Sequence, residues 1–260
     1  MAPTYHSIAY AGFDVANPVS LEAILELAAR TGLPAGARVL DIGAGAGGVS
    51  VALARTFDFD VRAIERYPDM ADMIRDRADA AGVADRVTVV AEGSATALAR
   101  LAPADLLVAL GSTEPAGPGL RDAPAIFARL ADHLASPGWL LWGDLTWKGD
   151  PPAPLRQVIG VTGDYATHEG WQAAATAAGL EVVSAALAPD ADWDAFFGGA
   201  DARVRAWLDA HPDDPAAPAV RARADLTRTT FDFGRPWLAF GLYLFRKART
   251  AINAGAEKPR

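Results

Sequence analysis

The chain has 260 residues, 51% hydrophobic and 22% charged, which is enough apolar material to bury a full core in one large α/β domain, with or without a lid. Its net charge of −8, with no Lys/Arg run longer than Arg246-Lys247, excludes the electrostatic footprint of a nucleic-acid binder. The absence of cysteine removes disulfides, thiolate metal sites and redox thiols and fits a cytoplasmic protein; residues 1–30 lack signal-peptide regions, and no apolar run is long enough to span a bilayer, so no membrane contact is expected.

In chain order, residues 1–17 have no clear period and read as an irregular arm or short helix. Asn17-Pro18 marks a turn, and Ser20 caps a helix over Leu21–Arg30, which Thr31-Gly32-Leu33-Pro34 stops. Arg38–Asp41 is the first strand. It ends on a carboxylate, passes through a turn of glycine and alanine (Gly43 to Gly48) and opens into a helix from Val49 to Arg55. Glycines there remove the Cβ atoms that would hold a ligand off the backbone, and the helix start offers unpaired N–H groups, so a nucleotide-like cofactor is the natural occupant.

Asp60–Glu65 is the second strand, and Pro68-Asp69 starts a helix that runs to Ala81. Arg86–Ala91 is the third strand, and Ser94–Leu101 connects it to a continuously apolar fourth, Ala104–Leu110, of the kind found at a sheet centre. Residues 111–119 form a breaker-rich loop at that strand's C-terminal end, where ligands bind in open α/β sheets. A helix over Asp122–Leu134, a Ser136-Pro137-Gly138 break and a fifth strand, Trp139–Asp144, follow, and a Pro-rich loop comes next. A helix from Thr167 to Ala178 precedes strand six, Leu180–Leu187; residues 189–235 read as mostly helical and polar, and Trp237–Phe245 is strand seven.

The loop glycines leave two cofactors open. Gly43, Gly45 and Gly48 satisfy G-x-G-x-x-G, the dinucleotide fingerprint, and Glu65 stands roughly where its ribose-binding acid belongs. Asp41 decides between them, because it turns the loop into D-x-G-x-G-x-G with Gly43, Gly45 and Gly47. A carboxylate repels a pyrophosphate and favours a cationic sulfonium ligand. Here the chain resembles the class I S-adenosylmethionine-dependent methyltransferases, over about Val39–Phe245.

That resemblance implies a Rossmann-like, doubly wound α/β fold with a seven-stranded, mostly parallel sheet in the order 3-2-1-4-5-7-6, strand seven being antiparallel. It implies S-adenosylmethionine as cofactor and S-adenosylhomocysteine as product. The expected organisation is an N-terminal arm and lid helix over 1–30, a methyltransferase domain over 31–246 with a helical insertion at 189–235, and a flexible tail over 247–260. By the resemblance, Gly43, Gly45 and Gly47 line the methionine portion, and Glu65 accepts both ribose hydroxyls with Arg66 beside it. Gly111 and Ser112 pass beneath the cofactor. Where the family usually has an Asp for the adenine amino group this chain has Ser94, whose hydroxyl or the N–H of Ala95 would serve instead.

Methyl transfer from a sulfonium needs a base only when the acceptor must lose a proton. Asp144, at the end of the fifth strand, and His6, in the arm, are the candidate catalytic residues. Tyr5, Tyr10, Phe13, Trp142, Trp147, His168, Trp193 and Phe197 are the candidate pocket residues, with Tyr165 and Phe196 nearby. So many aromatics suggest an apolar cleft, able to make cation–π contact with an amine. No cluster of oxygen ligands surrounds Asp144, so no metal is expected. The expected acceptor is a small organic molecule methylated on N, O or C, and the protein is a monomer or homodimer. The rival readings are an NAD(P)-dependent oxidoreductase, against which Asp41 argues, and an S-adenosylmethionine-binding protein without catalysis.

Overall fold

The computed structural model describes residues 3–161 and 163–247. The tail expected to be flexible over 247–260 lies, apart from Lys247, outside the described residues.

Local sequence sets most of the elements. Thr4 and Ser7 close a capping box on α1 (Tyr5–Tyr10), and Ser20 accepts from the Ala23 N–H to cap α2 (Leu21–Ala29). β1 (Arg38–Ile42) leads through the glycine loop into α3 (Gly48–Phe57); β2 (Asp60–Ile64), α4 (Pro68–Ala80), β3 (Val87–Val90), α5 (Ser94–Arg100) and β4 (Ala104–Leu110) follow as strand–helix units. Asp122 caps α6 (Ala123–Asp132), and β5 (Leu134–Trp147) is the longest strand. After α7 (Ala153–Ile159), Thr167 caps α8 (His168–Ala177), and β6 (Leu180–Leu187) precedes α9 (Asp190–Ala210), α10 (Ala217–Gly234) and β7 (Leu238–Lys247).

The sheet runs β3-β2-β1-β4-β5-β7-β6. Pairs from β3 across to β5 are parallel, while β7 is antiparallel to both β5 and β6, as the resemblance implied. One face packs on α2 and α3 through Ile24, Val39, Leu53, Leu106 and Leu141, the other on α6 and α8 through Leu40, Leu107, Phe127, Trp142 and Trp171. A separate small core joins α1 to α9 and α10 through Tyr5, Ala9, Val204, Leu208 and Val220.

Two elements differ from the sequence reading. Ser136-Pro137-Gly138 does not interrupt the fifth strand; the strand begins at Leu134 and runs on to Trp147. The proline is accommodated because β4 and β5 shift register between the Ala104–Leu134 and Leu106–Trp139 pairs, so no ladder bond there needs its missing N–H. The Pro-rich stretch contains α7, with proline in the first helical turn, where a missing N–H costs nothing. The segment connecting β3 to β4 is the helix α5, which Ser94 opens.

Candidate active site

The parallel strands end together along one edge of the sheet, and a cavity of about 430 Å³ opens above them. Its floor is built from strand ends and the loops that follow them: Ile42, Gly43 and Gly45 after β1; Ile64, Glu65 and Arg66 after β2; Gly93 to Thr96 at the start of α5; Leu110 to Glu114 after β4; Asp144 and Leu145 on β5. Its roof comes from the other end of the chain topology, with His6 and Tyr10 of α1, Asn17 and Pro18 of the arm, Phe196 and Phe197 of α9, and Arg223, Thr227 and Phe231 of α10.

Glu65 is buried and fixed from two sides. One oxygen accepts from the Gly45 N–H (3.0 Å), the other from the Tyr67 N–H (2.9 Å). The Arg66 backbone N–H also donates to the carboxylate. Burial raises the Glu65 pKa, opposed by these backbone bonds and by the Arg66 charge. Arg66 donates to the Tyr67 hydroxyl (2.8 Å) and stands 3.6 Å from Glu114. Ser94 donates to the Glu114 carbonyl at 2.6 Å, tying α5 to the loop after β4.

Gly45 faces open space, because the nearest atom to a Cβ placed there would be Met70 Cε at 3.9 Å. A Cβ on Gly43 would stand 2.9 Å from Ser112 Oγ, and one on Gly111 would collide with the Asn17 carboxamide. The two loops and the arm therefore meet at van der Waals contact only because side chains are missing there.

Asp41 lies elsewhere than the sequence suggested. It does not line the main cavity; it is 3% exposed beneath the glycine loop and accepts from the Ser50 hydroxyl at 2.6 Å. Burial raises its pKa to about 6, with the Ser50 bond opposing and the Glu65 charge adding. A second, 30 Å³ cavity adjoins it, enclosed by residues 13–17 of the arm and the loop from Gly43 to Val49. Gly47 belongs to this inner side: it caps α3 at φ +81°, and a Cβ there would press to 2.9 Å from Ile74.

Asp144 lines the main cavity at 9% exposure, and its bond in the protein is from the Leu145 N–H at 2.7 Å. Burial raises its pKa to about 7. Next to it across the β5–β7 ladder is Gly241, and the space a side chain would fill there holds the Tyr243 hydroxyl, 2.9 Å from His168 Nδ1. His6 lines the roof, where burial and the Arg223 charge lower its pKa and keep the ring neutral.

Among the expected pocket residues, Tyr10 and Phe197 line the main cavity, with Tyr165 and Phe196. Phe13 lines the smaller cavity and packs on Phe196. The others are corrected by the structure. Trp142 is 1% exposed and packs with Phe127 and Trp171 in the core: it shares a strand face with Asp144 but sits one step deeper, under α6 and α8. Trp147 is buried on the opposite face near Leu238, with the Arg156 guanidinium over its ring. His168 begins α8 and is turned to Tyr243, behind the cavity wall. Trp193 backs the wall, in contact with Phe197 and Phe231, and Tyr5 is buried between α1 and α10, bonded to Thr227.

The sequence reading missed Asn17, Tyr67, Arg223, Thr227 and Phe231. A helical stripe does mark the last three, since Val220, Arg223, Thr227 and Phe231 recur at spacings of three and four, but the surrounding charges conceal it.

A seven-stranded sheet of this order, with a glycine loop, an acid after the second strand and a cleft over the strand ends, defines a nucleotide-cofactor enzyme of the Rossmann-like type. Residues 39–138 match the family described as methyltransferase domain. The S-adenosylmethionine-dependent methyltransferase of Geobacter sulfurreducens, solved in complex with S-adenosyl-L-homocysteine, is 27% identical, with a TM-score of 0.80 over 94% of this chain and 97% of that one. The corresponding enzyme of Thiobacillus denitrificans, solved with the same molecule, is 27% identical, with a TM-score of 0.79 over 94% and 99%. The uncharacterized protein YjhP of Escherichia coli is 27% identical over 93% of this chain and 97% of its own length. Residues 39–138 thus form a methyltransferase domain, and the sheet order and these likenesses are those of the class I S-adenosylmethionine-dependent methyltransferases. Among the described residues no helix is long and apolar enough to cross a membrane, and no group of three or more His, Asp or Glu is placed to hold a metal ion.

Proposed function

We propose that the protein methylates an N, O or C atom of a small organic molecule held between the cofactor and the helical roof, with Asp144 receiving the proton when the acceptor has one to lose. The observation that carries this reading is Asp144 itself, a nine-tenths buried carboxyl in the cavity wall whose bond comes from its own neighbour Leu145.

The donor set suits an S-adenosyl ligand. Glu65, fixed by backbone N–H groups and lining the cavity, would accept the ribose hydroxyls, charge-assisted bonds that supply orientation as well as energy. Open space over Gly45 and Gly93 gives the ligand close access to backbone. Because the Ser94 proton is committed to Glu114, its oxygen is left to accept from an adenine amino group, and the Ala95 N–H is left for a ring nitrogen. Gly111 and Ser112 close the cavity floor, and Asp41 acts at one remove, through Ser50 and the loop. When bound, the cofactor supplies a methyl group already activated on a sulfonium.

The protein's share is then alignment and exclusion of water, worth up to about 7–11 kcal/mol in ideal geometries. The roof of α1, α9 and α10 would perform the exclusion, with Tyr10, Phe196, Phe197 and Phe231 as its apolar lining. A carboxyl raised to about 7 is half ionised near neutrality, which suits a proton acceptor. His6, neutral and in the same wall, is the second candidate.

The test is a screen of amines, phenols and carboxylates for S-adenosylhomocysteine formation, repeated with Asp144→Asn. Turnover of at least one small acceptor is expected, reduced about 10²–10⁴-fold in the variant with S-adenosylhomocysteine affinity retained. Transfer to macromolecules alone would overturn the small-molecule reading, and undiminished turnover by Asp144→Asn would remove its proton role.

A further inference from the structure

We propose that the acceptor carries an anionic group, a carboxylate or a phosphate monoester, and that Arg223 of α10 binds it at the roof end of the cavity. This rests on the reading above, in which the cavity seats the acceptor beside the cofactor.

Two arginines line the cavity, and they differ in occupation. Arg66 is engaged with Glu114 and the Tyr67 hydroxyl. Arg223, solvent-exposed at the cavity rim, takes part in no ion pair and no hydrogen bond among the described residues, and the acid two residues on, Asp225, pairs with Arg228 at 2.5 Å. Its charge reaches the cavity all the same, since it acts on Tyr5, His6 and Tyr10 of α1. A guanidinium presents planar paired donors that match a carboxylate or phosphate, and one left unpaired at a cavity wall is a vacant half of such a contact.

The distribution of charge sets the direction in which the acceptor lies. Glu65 and Asp144 stand on the strand-end floor and disfavour an anion there, whereas the roof side has Arg223 with neutral His6 and the Thr227 hydroxyl one turn on. The acceptor would point its anionic end to α10 and its reacting atom towards Asp144, with Phe196 and Phe231 against its body. The same geometry counts against the amine-binding use of the aromatics suggested by sequence, because a cationic head among them would meet Arg223.

Calorimetric titration of the S-adenosylhomocysteine-saturated protein with benzoate, phenyl phosphate and the neutral isostere benzamide tests this directly. At least one anion should bind, with benzamide weaker by about tenfold or more. Arg223→Ala should abolish that preference, and Arg223→Lys restore it in part, with S-adenosylhomocysteine affinity unchanged in both. The stronger of the two anions tells carboxylate from phosphate. Binding of neither anion, equal binding of benzamide, or an unchanged preference in Arg223→Ala would overturn the proposal. S-adenosylhomocysteine binding by the unaltered protein is measured first, and its absence would overturn the cofactor reading, and this proposal with it.

Discussion

Asp144 is held uncharged by its surroundings well above the pH at which an exposed aspartate ionises, and Asp41 behaves in the same way. In the unfolded chain both ionise near 4, whereas burial raises them to about 7 and about 6 in the fold. The folded state therefore binds these protons more tightly, so their contribution to stability is full below about pH 4 and is lost as pH rises from 4 through 7. Asp144→Asn cannot ionise and escapes its part of this loss. Relative to the unaltered protein it should gain on the order of 2–4 kcal/mol on going from pH 4 to pH 8, measured by chemical denaturation at the two values. An offset that is the same at both would show that Asp144 ionises normally. At this scale the sequence was informative where backbone position fixes a role. Glu65 follows from its place at a strand end, but Trp142 was misread because alternation gives the face of a residue and not its depth along the strand. Asp41 was expected to face the cofactor and instead accepts from Ser50, a bond that depends on how α3 turns back over β1, which the loop motif does not contain.

Among the elements, the arm preceding α2 was the hardest to read and has much to do with the site. After the short α1 it has no period, because residues 11–19 pack as a strap rather than as a helix or strand. Arg77 of α4 holds it, donating to the carbonyls of Ala11 (2.7 Å) and Phe13 (2.9 Å) and pairing with Asp14 at 3.3 Å. Asn17 anchors the other end by donating to the Leu110 carbonyl at 3.0 Å. Gly48 permits the crossing, since a Cβ there would collide with the Asp14 carbonyl. Arg77→Ala should therefore release residues 11–17, seen as faster limited proteolysis in that stretch and a severalfold loss of S-adenosylhomocysteine affinity, with the main melting transition nearly unchanged. Proteolysis and affinity both unaltered would show that the strap is held without Arg77. The strands and the helices of the first half were legible because strict apolar runs and caps mark them. The extension of β5 through Pro137 was not, because it depends on a register shift with a neighbouring strand.

Across the whole molecule the topology divides the labour. The parallel half of the sheet carries the glycine loop, Glu65 and the start of α5, while β5, β7 and the α9–α10 excursion supply Asp144 and the roof. The roof has its own small core with α1, so the two ends of the chain meet over the cavity. Strand count was readable from the sequence, strand order came only with the family resemblance, and the meeting of α1 with α10 came from neither, since it is a contact between residues about 200 apart whose apolar stripes are short.

On the proposed reading, the floor of this cavity holds an S-adenosyl ligand by the Glu65 carboxylate. Isothermal titration of the unaltered protein and of Glu65→Ala with S-adenosylhomocysteine and with NAD, alongside melting curves, tests it most directly. One tight site for S-adenosylhomocysteine and none for NAD are expected, with affinity about tenfold or more weaker in Glu65→Ala and a preserved cooperative transition. Equal affinity in the two proteins, or binding of NAD in place of S-adenosylhomocysteine, would contradict it.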